Sequence, residues 1–317
     1  MTLREQIRRN YLMTTVLLVF FGALVGIVGV SLWAAYGTGA AVAVGVIGVV
    51  WAIFSWFLSK SVVSATTGAR PVTKQEQPDL YRIVENMSIA AGLPATPEVR
   101  IVDDPAPNAF AAGRGPKSCY VCATTGLLET MDHREIEGVI SHEIAHVQHR
   151  DVRLMTLVAV MVGVIALISD VALRFLFFGD GRRRSSSPAD LILLGIGLAG
   201  LILAPIAAVG IQLAISRRRE YLADAGGAEI SGDPEGLALA LRKLMRDPRE
   251  IKHMNRSTAH LYIEGPLRNA SGPRALLGGL FDTHPPLEER IRRLEELGSF
   301  RLPPESPSEV QGLPTAG

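Results

Sequence analysis

In the run VISHEIAHVQHRDV, residues 139–152, His142 and His146 stand four apart and Glu143 follows the first directly. On a helix, residues four apart lie one above the other, so both imidazoles can meet a single zinc ion. Glu143 then sits one position round, where it can take a proton from attacking water and later hand it to a leaving amine. The chemistry offered by this spacing is metal-assisted hydrolysis of a peptide bond. The bland alternative is a polar helix face with satisfied histidines.

Two histidines leave a tetrahedral catalytic site one protein ligand short. His149 is the nearest imidazole, but it lies about 10 Å along the axis from His142, too far to share one ion. The pattern HExxHxxGxxH is absent, because residues 149–152 read HRDV. The third ligand must come from elsewhere in the chain, and Glu220 is the best candidate. Asp224 follows it by one helical turn and can accept the second ring N–H of a liganding histidine, fixing its tautomer. Glu220 could instead pair with Arg217 or with lipid headgroups. His284, in DTHPP, could donate to a developing oxyanion. A rigid turn ahead of a helix explains the same residues equally well.

The elements that must position these groups are legible in outline. Asp132 with Glu135 three later resembles a capping box and opens a helix that runs through Val152. Gln77–Ala91 has helical spacing of apolar residues and is stopped by Gly92 and Pro94. EVRIVDD alternates as a strand, PAPNAFAAGRGPK is turn-rich, and SCYVCATTGLLE reads as a second strand ending in a turn. In the later part, RRREYLADA continues as a helix to about Ala228. Asp233–Met245 and Pro286–Leu297 are further helices, the last with Glu and Arg at a spacing typical of a solvated face. Residues 299–317 read as a disordered tail.

The chain has 317 residues, 48% hydrophobic and 20% charged, with net charge +1. Its mean hydropathy of +0.25 is high for a soluble enzyme. Leu12–Ala35 is 24 residues without a charge and Ala41–Ser59 adds 19 after a five-residue turn, each long enough to cross a hydrocarbon core. Leu191–Ser216 is a further full-length run of 26 residues; Leu154–Phe178, interrupted by Asp170 and Arg174, is a full span, a re-entrant hairpin or a helix buried against that run. Basic residues before the first run, after the second and after the last place those flanks in the cytoplasm. The triplet Arg182–Arg184 conflicts with that rule only if the middle hairpin crosses fully. The near-zero charge argues against nucleic acid as a partner. Cys119 and Cys122 are three apart on a strand and so point to opposite faces, which disfavours a shared metal or a disulfide.

HEIAHVQHRD, SRRREYLADA after an apolar run, NAFAAGR and FDTHPPLEERI together resemble the HtpX-type membrane zinc metalloproteases, relatives of the CAAX prenyl proteases. The resemblance covers nearly the whole chain to about Leu297. It implies a membrane protein of α+β class: transmembrane helices with a cytoplasmic zincin-like (gluzincin) catalytic domain built from two segments. It further implies one Zn2+ held by His142, His146 and Glu220, with Glu143 as base and Asp224 behind a ligand. Asn108, Ala109 and Phe110 would line the substrate cleft, although an Asn before Ala-Phe is also an ordinary turn. The strand at 118–124 would offer an open edge for an extended substrate, but its Cys119, Tyr120 and Cys122 depart from the family's aliphatic strand.

The expected organisation is a hairpin in the lipid bilayer over 1–59, a first catalytic half over 60–153, a second apolar hairpin over 154–216, a second catalytic half over 217–298, and the tail. The implied function is proteolytic quality control of misfolded or damaged membrane proteins at the cell membrane, with both termini cytoplasmic. A CAAX-type prenyl protease and a non-catalytic membrane scaffold are the alternatives.

Overall fold

The computed structural model describes residues 10–16, 57–160, 217–249, 261–263 and 285–303, with a few isolated positions besides. All four apolar runs lie wholly or mostly outside these residues, as do His284 and residues 304–317. Among the described residues no helix is long and apolar enough to cross a membrane.

Four strands form one mixed sheet in the order β1-β2-β4-β3: β1 Arg70–Pro71, β2 Glu98–Val102, β3 Ala109–Gly115 and β4 Ser118–Thr124. β2 runs parallel to β4, with Val99 opposite Val121, and β3 runs antiparallel to β4, with Ala111 opposite Val121. β4 is therefore interior, not the open edge expected of 118–124, and among the described residues β3 is a terminal strand. PAPNAFAAGRGPK, read as turn-rich, contains that strand. Its alternation is carried by small residues: Ala109 and Ala111 pack on one face of the sheet, Phe110 and Ala112 on the other. Gly113 sits at φ 150, and a Cβ there would lie 2.3 Å from the Ser118 carbonyl oxygen, so glycine is required where β3 turns towards β4.

Among the described residues, the helices α1 Pro78–Ala90, α2 Thr125–Thr130 and α3 His133–Gln148 pack on the sheet, and α4 Arg217–Ser231, α5 Pro234–Arg246 and α6 Leu287–Gly298 pack on helices. Thr124 accepts from the Leu127 amide at 3.1 Å, so the residues after β4 form a capped helix rather than a turn. α3 starts with the full capping box: the Asp132 carboxylate accepts from the Glu135 amide at 3.0 Å, and the Glu135 carboxylate from the Asp132 amide at 2.8 Å. It stops at Gln148 rather than running through Val152. Arg150 takes φ 62, a left-handed conformation that turns the chain before a further helical segment, 151–160.

One core lies between the sheet and α1, α3 and α5, where Ile140, Ile144, Leu237 and Leu241 are fully buried. Each such side chain contributes roughly 1.5–3 kcal/mol. A second core on the other face gathers Val63, Phe110, Tyr120, Met155 and Tyr262. Cys119 belongs to the first core and Cys122 to the second, and both are free thiols. The start of the expected tail is ordered: Phe300 and Leu302 pack on the first core, and the Pro303 carbonyl accepts from Arg242 at 2.8 Å.

Candidate active site

α3 and α4 pack side by side, and glycine sets how closely. A Cβ on Gly227 would lie 2.9 Å from the backbone N and Cα of His142, so α4 can approach the middle of α3 only with glycine there. Gly138, one turn before His142 on α3, lets the start of α5 come equally close: its Cβ would lie 2.6 Å from the Leu237 amide. On α4, Glu220, Asp224 and Gly227 recur at i, i+4 and i+7 and share one face. That face presents both carboxylates to the two histidines of α3.

His142, His146 and Glu220 bring one ligand atom each within 4.8 Å of one another. Nε2 of His142 lies 3.8 Å from Glu220 Oε2, and Nε2 of His146 lies 3.6 Å from Glu220 Oε1. The other nitrogen of each ring is engaged by a carboxylate. His142 Nδ1 is 3.0 Å from Asp224 Oδ1, and His146 Nδ1 is 3.1 Å from Asp151 Oδ2. A ring whose Nδ1–H is donated to a carboxylate keeps its Nε2 lone pair for a metal. Two such imidazoles and a carboxylate, all buried, are a donor set suited to zinc with a fourth position left for reaction.

Sequence reasoning missed Asp151 and Arg290. Arg290, fully buried, holds Asp224 through two bonds, Nε to Oδ2 at 2.9 Å and Nη2 to Oδ1 at 2.7 Å. Its Nη1 donates to the Ile263 carbonyl at 3.0 Å and lies 3.7 Å from Glu220 Oε2. The helix carrying it is not merely a solvated face, and the signal was available. Leu287, Arg290 and Leu294 recur at i, i+3 and i+7, so the arginine sits on the apolar stripe. For Asp151 the only signal is its place in HRDV, directly after the corner that ends α3.

These surroundings set the protonation of the site. Burial pushes Glu143 up to about 7, an effect that Glu220 reinforces and that His146 and a hydrogen bond from the Ala111 amide partly offset. Burial would depress His146, but the bond to Asp151 and the nearby Glu220 carboxylate prevail and lift it to about 9. His142 is lowered to about 4, mainly by burial, against the pull of Asp224. Asp224 is also pushed up by burial, but Arg290 and His142 outweigh that and hold it below the ordinary carboxylate range.

Residues 108–110 are not equivalent to one another. Ala109 and Ala111 of β3 adjoin the site: the Ala109 carbonyl accepts from the Ile263 amide at 3.0 Å, and the Ala111 amide holds Glu143. Phe110 is fully buried in the second core, in edge contacts with Tyr262 at 5.0 Å and Tyr120 at 6.0 Å, so its ring is not a cleft wall. The Asn108 side chain accepts from the Ala109 amide at 3.0 Å.

A helix with two histidines and a glutamate, closed by a carboxylate from a later helix over a mixed sheet, is the constellation of a metallopeptidase. Residues 74–298 match the model of Peptidase family M48, and the chain belongs to that family. It is 48% identical over 249 residues to a Protease HtpX homolog of Tropheryma whipplei, covering 78% of this chain and 82% of that one. A Protease HtpX homolog of Streptococcus gordonii is 42% identical over 300 residues, 92% of this chain and 99% of that protein. Among solved structures, S. mikatae Ste24p is similar at 18% identity with a TM-score of 0.47, over 91% of this chain and 66% of that one.

Proposed function

We propose that this M48 peptidase is a zinc endopeptidase anchored in a membrane, which cuts loosely folded or damaged membrane proteins on the cytoplasmic side. The observation that carries the reading is the convergence of His142 and His146 with Glu220, beside the buried Glu143. His142, His146 and Glu220 would hold the ion. When bound, zinc supplies Lewis acidity at the carbonyl under attack.

The chain's own groups do the rest. Glu143, with a proton affinity near neutrality and its carboxylate anchored by the Ala111 amide, accepts the proton of the attacking water and returns one to the leaving nitrogen. Asp224 and Asp151 fix the ring orientation of the two histidines. Arg290 neutralises Asp224 and keeps it in place for His142. A substrate in extended form aligns along β3 rather than β4, replacing the bond that Ile263 makes to Ala109. Reading backbone rather than side chains suits an enzyme with many unfolded substrates. The apolar runs on either side of the first catalytic half, each near the length of a bilayer span, support the membrane placement.

The test is incubation of the detergent-solubilised protein with a loosely folded membrane protein, in parallel with a prenylated tetrapeptide terminus. Internal cleavage of the first, lost with chelator and restored by zinc, is the expected result. Cleavage confined to the prenylated peptide would instead make it a CAAX-type enzyme, and cleavage of neither would remove the proposed activity.

A further inference from the structure

The family match begins at residue 74, yet a residue far ahead of it reaches the site. Asn10, in the helical segment 10–16, is 4% exposed. Its Nδ2 donates to Asp151 Oδ1 and, at 3.3 Å, to the His149 carbonyl. Its Oδ1 accepts from Arg219 Nη1 at 3.2 Å. The second oxygen of Asp151 is the one that holds His146, and Arg219 directly precedes Glu220. One amide therefore links the corner that orients His146 with the turn of α4 that carries Glu220.

We propose that Asn10 is a positioning residue of the metal site. It engages Oδ1 of Asp151 so that Oδ2 turns onto His146, and it ties Arg219 so that Glu220 is fixed relative to both histidines. An amide suits this place because it offers a donor to the carboxylate and an acceptor to the guanidinium from one planar group. A carboxylate there would keep the bond to Arg219 but set its own negative oxygen against Asp151, with the shape unchanged. The helical segment 10–16 thereby becomes part of the catalytic unit. The inference rests on the reading of His142, His146 and Glu220 as a metal site.

The experiment uses the full chain in detergent and measures zinc affinity by competition with a chromophoric chelator, and the visible absorption of the cobalt-loaded protein. Asn10→Asp and Asn10→Ala should each bind zinc about tenfold more weakly or worse, as expected for loss of a group that orients a ligand. Asn10→Asp should be the weaker binder and should show an altered cobalt spectrum. Thr14→Val is the control for helix packing, since the Thr14 hydroxyl bonds the Asn10 carbonyl of its own helix at 2.8 Å; it should match the wild type. Wild-type affinity and spectrum in Asn10→Asp would overturn the inference, and so would an equal loss in Thr14→Val. Should Asn10→Ala fail to fold, the near-isosteric Asn10→Asp decides. If the wild type itself binds neither metal, the reading of the site fails with it; if only the variants match the wild type, the inference alone fails.

Discussion

Each residue of the site is held by a second one, and those supports carry separate consequences. Arg290 is the sole arginine described in contact with Asp224 and lies beside Glu220, all three buried. Arg290→Met removes the positive charge and leaves two carboxylates inside the protein, a change that costs about 3–5 kcal/mol when one partner of a buried pair is deleted. Thermal unfolding of the metal-free protein in detergent should show this as a clear drop in midpoint; an unchanged midpoint would contradict the assigned role. The histidines give a pH dependence. His146 is raised above its ordinary range to about 9, so the stability it lends the metal-free fold is present at low pH and lost as pH rises through that value. The same proton competes with zinc. Zinc affinity should therefore climb by about tenfold per pH unit between pH 7 and 9, with release of one proton per ion across that range. Titrations in buffers of different ionisation enthalpy count that proton, and a flat affinity across those pH values would contradict it.

At the scale of elements, glycine decides how close α3 and α4 can come. Gly227→Ala would gain about 1 kcal/mol of helix propensity in an isolated helix. Here the new methyl group meets backbone of His142 at 2.9 Å, which cannot move aside as a flexible side chain can. The variant should be less stable despite the better propensity, and should bind zinc more weakly because Glu220 and Asp224 recede together from the histidines. Equilibrium unfolding and metal competition on one preparation check both effects; a stabilised variant would show that the two helices do not touch where the structure places them. Elements also mark what the sequence made legible. The helix over α1 and the capped start of α3 follow from apolar period and from Asp132 with Glu135, because both signals are local. β3 was unreadable as a strand because its alternation is written in alanine, with proline and glycine around it. That β4 is central depends on pairing with β2 and β3, which no local pattern encodes. The corner at Arg150 also escaped, since arginine carries no preference for positive φ. Arg290 was hidden among glutamates and arginines that do face solvent, and only its alignment with Leu287 and Leu294 separates it from them.

At the scale of the whole molecule, two stretches far apart in sequence make one catalytic unit. Residues 60–153 supply the sheet and α3, residues 217–298 supply α4, α5 and α6, and both cores draw side chains from the two stretches. On the proposed membrane placement, the apolar chain between must return to the side from which it left. Topology reporters fused after Arg70 and after Gly298 should thus report the same compartment, and opposite compartments would be incompatible with a shared core. The most direct test of the whole account asks whether the two halves hold one ion between them. Zinc binding and peptide cleavage are measured side by side on wild type, Glu143→Gln and Glu220→Ala, all full-length in detergent. One zinc per wild-type chain is expected. Glu143→Gln should keep that zinc and lose about 100-fold or more of its turnover, as for a lost acid–base group. Glu220→Ala should lose both metal and turnover; wild-type zinc affinity in Glu220→Ala would place the third ligand elsewhere and contradict the joining of the two halves at the metal.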